Sequence, residues 1–115
     1  MNDKLLLVGA GGLGRVTLEH SVLTFECAFV DDGYPVGMEI CGVPIVGAIQ
    51  DLTQLRKEYS HLVVTIGDNR LRERIYWQAQ ALGFAFPNVV ATSAYVSPFA
   101  QLGWGCILLN NAVVQ

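Results

Sequence analysis

The chain has 115 residues, of which 52% are apolar and 15% charged, and its net charge at pH 7 is -3. This length suits one domain, or a domain with an appendage, and so apolar a composition excludes intrinsic disorder. Because Lys and Arg are few, we also exclude an electrostatic surface for nucleic acid and expect no nucleic-acid partner.

Targeting segments and metal sites are not expected. Lys4 is followed by only four apolar residues before the first glycine, too few for a signal-peptide core or a membrane span, so we expect a cytoplasmic protein. The three cysteines, Cys27, Cys41 and Cys106, form no CxxC pair. They predict reduced, structural thiols and neither a metal site nor a disulfide framework.

The first predicted strand, residues 5–8, leads into a glycine-rich loop that opens a helix. Gly9, Gly11 and Gly14 have the GxGxxG spacing, and Gly12 adds a fourth glycine. Glycines let the backbone turn sharply and approach a ligand closely, and the N-terminus of a helix presents unpaired N–H donors to anions. The loop therefore predicts a phosphate or pyrophosphate site formed by backbone, although the spacing alone does not establish one.

Two acidic residues follow the next strand. Residues 15 to about 24 predict a helix and residues 25–30 a strand. A right-handed crossover then places Asp31 and Asp32 at the same sheet edge as the glycine loop. An acid some twenty positions after GxGxxG commonly accepts hydrogen bonds from ribose hydroxyls. The alternative is a simple turn, since Asp, Gly and Pro favour turns.

The middle of the chain predicts further α/β structure. Residues 34–41 are typical of a loop, and in residues 42–47 Pro44 argues against a central strand. Residues 48 to about 59 predict a helix, and residues 62–66 a parallel strand covered on both faces. His20 has no Cys, Asp or second His at ligand spacing, so we expect a surface residue there, and His61 lies at the predicted helix-to-strand junction.

A second candidate loop ends that strand. Gly67, Asp68 and Asn69 lie at the carboxyl edge, where ligands bind in open α/β sheets. Residues 70–82 form the clearest predicted helix, with Gly83 as its stop.

Several side chains of this helix have alternative interpretations. Its arginines at 70, 72 and 74 oppose the helix dipole, so they either form a solvated face or meet an anion. Tyr76 and Trp77 are expected to cover the core. Residues 84–90 can supply one more strand, with Pro87 favouring an edge.

The sequence period changes to six from Ala94 onward. The aliphatic series is Val96, Leu102, Leu108 and Val114, and the small-residue series is Ala94, Ala100, Cys106 and Ala112. Neither a helix nor a simple strand requires two such series, whereas a hexapeptide β-helix does. The alternative is a hydrophobic β-hairpin that turns at Asn110 and Asn111.

Hexapeptide coils bury their faces only by stacking on further coils. We therefore expect this chain to be the amino-terminal part of a longer protein. Exposed Leu102, Trp104, Leu108 and Val114 would then promote association unless another chain covers them.

The ordered motifs resemble the sialic-acid O-acetyltransferase/bacillosamine N-acetyltransferase family, the sugar acyltransferases of bacterial surface glycans. The matching segments cover almost the whole chain: residues 8–14, 29–32, 42–47, 66–69 with Arg72, and 93–98. The resemblance implies an α/β fold, with a Rossmann-like parallel sheet flanked by helices over residues 1–91. Residues 92–115 would begin a left-handed β-helix.

The family likeness also implies ligands and roles. The Rossmann-like domain would bind a nucleotide-sugar acceptor, and the full-length protein would use acetyl-CoA, need no metal and form a homotrimer. Pyrophosphate or sugar contacts are implied at Gly9, Gly11, Gly12 and Leu13; base or ribose contacts at Asp31 and Asp32; and acceptor contacts near Gly67, Asp68 and Asn69.

Two departures from the family pattern matter. Leu13 stands where many relatives carry a histidine, and this removes a hydrogen-bonding side chain. The family's general-base histidine and acyl-CoA cleft belong to coils beyond Gln115, and neither His20 nor His61 matches that base. We expect no catalytic residue in this chain, which would bind acceptor without turnover.

Three functions compete at this point. The first is the acceptor-binding part of a CoA-dependent sugar N- or O-acetyltransferase. The second is an NAD-binding oxidoreductase module, weakened because a full dinucleotide fold needs two βαβαβ halves. The third is a non-catalytic nucleotide-binding or oligomerisation domain.

Overall fold

The computed structural model describes residues 2–115. The strands are β1 (Lys4–Val8), β2 (Glu26–Val30), β3 (Glu39–Ile40), β4 (Val43–Gly47), β5 (His61–Val64), β6 (Val89–Val90), β7 (Tyr95–Val96), β8 (Ile107–Leu108) and β9 (Val113–Val114). The helices are α1 (Gly12–Glu19), α2 (Leu52–Leu55) and α3 (Asn69–Leu82), with a 3₁₀ turn at Ile49–Asp51.

The main sheet has the strand order β3-β4-β2-β1-β5. β1 pairs in parallel with β2 on one side and with β5 on the other, and β4 extends the parallel set beyond β2. The chain thus runs outward from β1 to β4 and then returns across β1 to add β5. This reversal places a topological switch point between β1 and β5, where ligands bind in open α/β sheets.

Helices cover both faces of this sheet. Leu6 and Val8 of β1 face a core cluster that includes Ile75 and Ala79 of α3. Leu5 and Leu7 face the opposite cluster, which includes Leu18 of α1. A strand buried on both faces needs the continuous apolar run that this sequence has. The predicted Rossmann-like α/β fold is confirmed.

The β3–β4 hairpin differs from the predicted loop. Its turn residues Cys41 and Gly42 both have positive φ, 54° and 77°, the backbone of a two-residue type I′ hairpin turn. Pro44 lies in β4, which has a neighbouring strand on each side. The expectation that Pro44 excludes a central strand here is therefore wrong. The ladder to β2 uses only Ile45 and Gly47, so the missing N–H of Pro44 interrupts no bond there.

The predicted helices form with different lengths. α1 begins at Gly12, inside the glycine loop and three positions before the expected start, and it ends at Glu19, five positions before the expected end. The predicted helix over residues 48–59 shortens to the 3₁₀ turn and α2. α3 matches its prediction, and Gly83 ends it in the left-handed conformation with φ 90°.

The end of the chain forms parallel pairs with a fixed offset. Val89 pairs with Ile107 and Tyr95 with Val113, each eighteen positions apart, an offset equal to three of the six-residue periods. All members of the two period-six series are half-buried. A hairpin at Asn110 and Asn111 would pair strands antiparallel, so this alternative is wrong.

The predicted strand over residues 84–90 is divided between two sheets. Ala85 forms a parallel bridge to His61 at the edge of the main sheet. Val89 and Val90 instead pair within the coil. The bend between them contains Pro87, which cannot donate to a ladder.

Candidate functional site at the carboxyl edge of the sheet

Three loops meet at the carboxyl edge of the main sheet. The glycine loop follows β1, residues 31–33 follow β2, and residues 65–68 follow β5. Because these strands are parallel neighbours, their carboxyl ends share one edge. The glycine loop and the loop after β5 flank the switch point.

The glycine loop presents unpaired donors to this crevice. Gly11 is the N-cap of α1, with an extended conformation and no side-chain cap. Within residues 2–115, the N–H groups of Gly12, Leu13 and Gly14 have no hydrogen-bond partner. A helix start of this kind carries partial positive charge and stabilises a bound anion.

The four glycines of the loop differ in whether the surrounding structure leaves room for a side chain. A Cβ on Gly14 would lie 1.9 Å from the carbonyl oxygen of Gly9. Gly9 itself has φ +120°, and a Cβ built on it would lie 2.9 Å from the carbonyl oxygen of Thr65. Close packing therefore requires glycine at these two positions. Gly11 and Gly12 have nothing within 4 Å of a built Cβ, so the space beside them is open to a ligand.

Thr65 is a site residue that the sequence reasoning missed. Its buried Oγ1 is 2.7 Å from the carbonyl oxygen of Gly9 and 3.1 Å from that of Val8, and it donates to them. A hydroxyl within the aliphatic run of residues 62–66 was the available signal, since a buried hydroxyl needs a partner.

The two predicted acids make different contacts. Asp31 accepts the N–H of Ala10 at 2.8 Å with Oδ2 and that of Gly33 at 2.7 Å with Oδ1. The Oδ1 of exposed Asp32 accepts the N–H of Ile49 at 2.8 Å. Both carboxylates therefore hold backbone at this edge of the sheet, and ligand contact by either of them stays a prediction.

The loop after β5 combines an open glycine with a helix cap. A Cβ on Gly67 would meet nothing within 4 Å. Oδ1 of Asp68 accepts the N–H groups of Arg70 and Leu71, both at 3.0 Å. Asp68 is thus the N-cap of α3, a structural role that the sequence reasoning did not assign, and Asn69 is the first residue of the helix.

A groove of about 400 Å³ lies between α3 and the first coil. Its lining includes Asn69, Arg72, Trp77 and Trp104. Trp77 is 67% exposed, so the expectation that it covers the core is wrong. Tyr76 is half-buried against the core, as expected, and the three arginines of α3 are exposed.

Other candidate residues lie away from the crevice. His61 begins β5 at the opposite edge of the sheet, with Nδ1 2.7 Å from Oγ of Ser60. Burial raises the pKa of the Cys27 thiol to about 11, so it is a neutral thiol at physiological pH. Among the residues described, no cluster of three or more metal-ligating side chains occurs, and none of their helices could cross a membrane.

Comparison with known proteins identifies the family. The sequence profile of the PglD N-terminal domain matches residues 4–79, which contain all three loops of the crevice. The chain belongs to the PglD N-terminal domain family. The resemblance inferred from the sequence motifs is therefore confirmed. Among curated proteins, no match was found.

Solved structures agree with this PglD-type assignment. A mutant of perosamine N-acetyltransferase from Caulobacter crescentus, in complex with CoA and GDP-perosamine, is 33% identical with a TM-score of 0.89; the match covers 97% of this chain and 54% of that one. The acetyltransferase domain of PglB from Neisseria gonorrhoeae, in complex with acetyl coenzyme A, is 37% identical with a TM-score of 0.86, covering 98% and 56%.

The chain spans about half the length of these two relatives. A Rex-family repressor, RSP, has a TM-score of 0.61 at 14% identity, over 96% of this chain and 53% of its own. At that identity the likeness concerns the fold alone.

Proposed function

We propose that the crevice between the glycine loop and the loop after β5 binds the nucleotide-sugar acceptor of a sugar acetyltransferase. The observation that carries this proposal is the set of unpaired N–H groups at Gly12, Leu13 and Gly14, placed at the switch point of a PglD-type domain. A pyrophosphate is the anion of a nucleotide-sugar, and such donors stabilise it without a lysine.

Each loop would contact a different part of the acceptor. Gly9, Gly11, Gly12 and Leu13 would surround the pyrophosphate and adjoining sugar. Asp31 and Asp32 would lie towards the ribose and base, with the exposed carboxylate of Asp32 available to hydroxyl donors. Gly67, Asp68 and Asn69 would border the acceptor from the far side of the switch point. Gly67 leaves space there, and the carboxylate of Asp68 already accepts two backbone N–H groups at the start of α3.

The carboxyl edge determines how a diphosphate can bind. Asp31, Asp32 and Asp68 add negative charge there, and no lysine lies in the three loops. A diphosphate would therefore rely on backbone donors and the helix dipole. Leu13 adds an apolar side chain beside the phosphates, so the loop would select ligands by backbone geometry and shape.

We also propose the activity of the whole protein. It would transfer an acetyl group from acetyl-CoA to an amine or hydroxyl of its sugar in bacterial surface glycan biosynthesis, in the cytoplasm and as a homotrimer. Both relatives are acetyltransferases crystallised with CoA or acetyl-CoA. The acyl transfer requires a base that deprotonates the attacking group, and we place that base and the acetyl-CoA site in later coils.

The domain arrangement follows from the same proposal. Residues 1–91 would form the acceptor domain, and residues 92–115 would begin the left-handed hexapeptide β-helix. The eighteen-residue offset of the paired strands supports the repeat. The pairing of Val89 with Ile107 supports a junction a few residues before 91.

Calorimetric titration tests the acceptor site. The protein is titrated with UDP-, GDP- and CMP-sugars and, separately, with NAD and acetyl-CoA. We expect one nucleotide-sugar to bind, and Gly11→Leu to weaken it at least about tenfold by filling the ligand space, a loss of about 1.4 kcal/mol. Gly103→Leu is the matched control, because Gly103 is also open to solvent but lies in the coil.

Binding of NAD in place of every nucleotide-sugar would support the oxidoreductase alternative. Equal affinities of the wild type and Gly11→Leu for the nucleotide-sugar would remove the glycine loop from the site. Circular dichroism of both variants checks that the fold is retained.

A further inference from the structure

A single peptide unit in the glycine loop is held from both sides. The carbonyl oxygen of Gly9 accepts the hydroxyl of Thr65 at 2.7 Å, and the N–H of Ala10 donates to Asp31 at 2.8 Å. These two groups belong to the same Gly9–Ala10 peptide. Thr65 follows β5 and Asp31 follows β2, so the strands on either side of β1 each supply one contact.

The orientation of this peptide determines where α1 begins. The Cα of Gly14 packs directly on the carbonyl oxygen of Gly9, so closely that a Cβ would lie 1.9 Å away. The unpaired N–H groups of Gly12, Leu13 and Gly14 belong to that same first turn. A rotation of the Gly9–Ala10 plane would move the carbonyl on which the turn rests, and the donors with it.

Backbone preference alone does not fix this plane. Gly9 has φ +120°, and glycine adopts positive and negative φ with similar ease. A peptide after glycine can therefore flip at small energetic cost unless its polar groups are bound. Here the carbonyl has a donor and the N–H has an acceptor, and a flip would break both bonds.

We propose that Asp31 and Thr65 are positioning residues that lock the Gly9–Ala10 peptide and thereby aim the first-turn N–H groups at the diphosphate. This inference rests on the proposed nucleotide-sugar site and deepens it. The proposal gives Asp31 and Asp32 different roles. Each carboxylate oxygen of Asp31 already accepts a backbone N–H, one of them from Ala10 in the glycine loop, whereas Asp32 makes no hydrogen bond to that loop.

A purely electrostatic role and a positioning role of Asp31 predict opposite changes in anion affinity when its carboxylate is removed. Removing a carboxylate near an anion site reduces repulsion and should strengthen anion binding. Removing the lock should weaken it, because the donors lose their fixed direction. Affinity for inorganic pyrophosphate, which has no ribose, separates this role from ribose contact.

The experiment measures binding of inorganic pyrophosphate, UDP and GDP to the wild type, Asp31→Ala, Thr65→Val, Thr65→Ser and the double variant. We expect Asp31→Ala and Thr65→Val each to weaken pyrophosphate and the bound nucleotide by the same factor, about tenfold, the order expected for a hydrogen bond that fixes a site. Thr65→Ser keeps the hydroxyl and should restore wild-type affinity.

The two single effects should also be coupled. Because both side chains hold one peptide, loss of either releases it, and the double variant should lose less than the product of the two factors. Asp3→Ala is the charge control. Asp3 is exposed just before β1, at the opposite edge of the sheet.

Pyrophosphate binding that is unchanged or stronger in Asp31→Ala would overturn the proposal, and so would independent effects in the double variant. Hydrogen exchange of the Ala10 amide gives a readout in the wild type that needs no substitution: slow exchange is expected, and exchange at the rate of a free amide would contradict the lock. If the wild type binds none of the three probes, the proposed nucleotide-sugar site itself fails.

Discussion

Two glycines of the loop are required by close packing, and the other two have open space beside them. Gly14 has no room for a Cβ, whereas Gly12 has nothing within 4 Å of one. The GxGxxG pattern could not distinguish these roles, because it records only spacing. The distinction depends on which glycine faces the neighbouring backbone, and that is decided by the fold.

Gly14→Ala should therefore destabilise the protein, whereas Gly12→Ala should not. We expect Gly14→Ala to lower the free energy of unfolding by about 1–3 kcal/mol, the usual cost of forcing atoms into a packed site. Gly12→Ala should stay within about 0.5 kcal/mol of the wild type. Urea unfolding followed by circular dichroism measures both, and equal stability of the two variants would contradict the packing argument.

Side-chain contacts explain why the acids were difficult to interpret from sequence. Their position after β2 and β5 was predictable, because carboxyl ends of parallel strands share an edge. Which N–H each carboxylate accepts was not, since Ala10 is twenty-one positions from Asp31 and Ile49 seventeen from Asp32. Thr65 was missed for the same reason: its partners are the carbonyl groups of Val8, at the end of β1, and of Gly9, in the glycine loop.

At the scale of elements, α3 is defined by its two ends. Asp68 caps its first turn with two backbone hydrogen bonds, and Gly83 ends it with φ 90°. Gly83 predicted the end of this helix, and the predicted start lay within one residue of Asn69, although the cap at Asp68 was not assigned from the sequence. α1 and α2 end early although their apolar periodicity continues, because periodicity shows which face is buried and not where the chain must turn to meet the next strand.

Asp68→Ala should shorten or fray α3. Loss of an N-cap acceptor costs about 1 kcal/mol, and Asn is nearly as good a cap as Asp. We therefore expect Asp68→Ala to lower the free energy of unfolding by about 1 kcal/mol and Asp68→Asn to change it little. Chemical denaturation provides the measurement; equal losses in the two variants would show that the charge of Asp68, and not its cap, is what stabilises the protein.

For the molecule as a whole, a compact junction joins the sheet to the first coil. Tyr76 of α3 packs edge-on against Phe86 and Trp104, with ring centroids 5.1 and 5.4 Å apart. Asn88 donates to the carbonyl of Gly103 and accepts the N–H of Cys106, both at 2.7 Å. The period-six series predicted a coil, but nothing in its spacing indicated how the coil would attach to α3.

Asn88→Ala should loosen this junction while leaving the crevice intact. It removes partners from two backbone groups of the coil, and a hydrogen bond of this kind contributes about 0.5–1.5 kcal/mol to stability. We expect faster hydrogen exchange at Cys106 and unchanged exchange at Ala10 and Thr65. Faster exchange throughout the main sheet would instead show that coil and sheet unfold as one unit.

The central claim, that backbone donors of the glycine loop hold a nucleotide-sugar, is tested most directly by NMR of the ¹⁵N-labelled protein during titration with GDP- and UDP-sugars. We predict that the amide signals of Gly11, Gly12, Leu13 and Gly14 shift most, with smaller changes at Asp32 and Gly67. Saturable binding with those signals unmoved, or with shifts centred on the groove at Trp77 and Trp104, would contradict it.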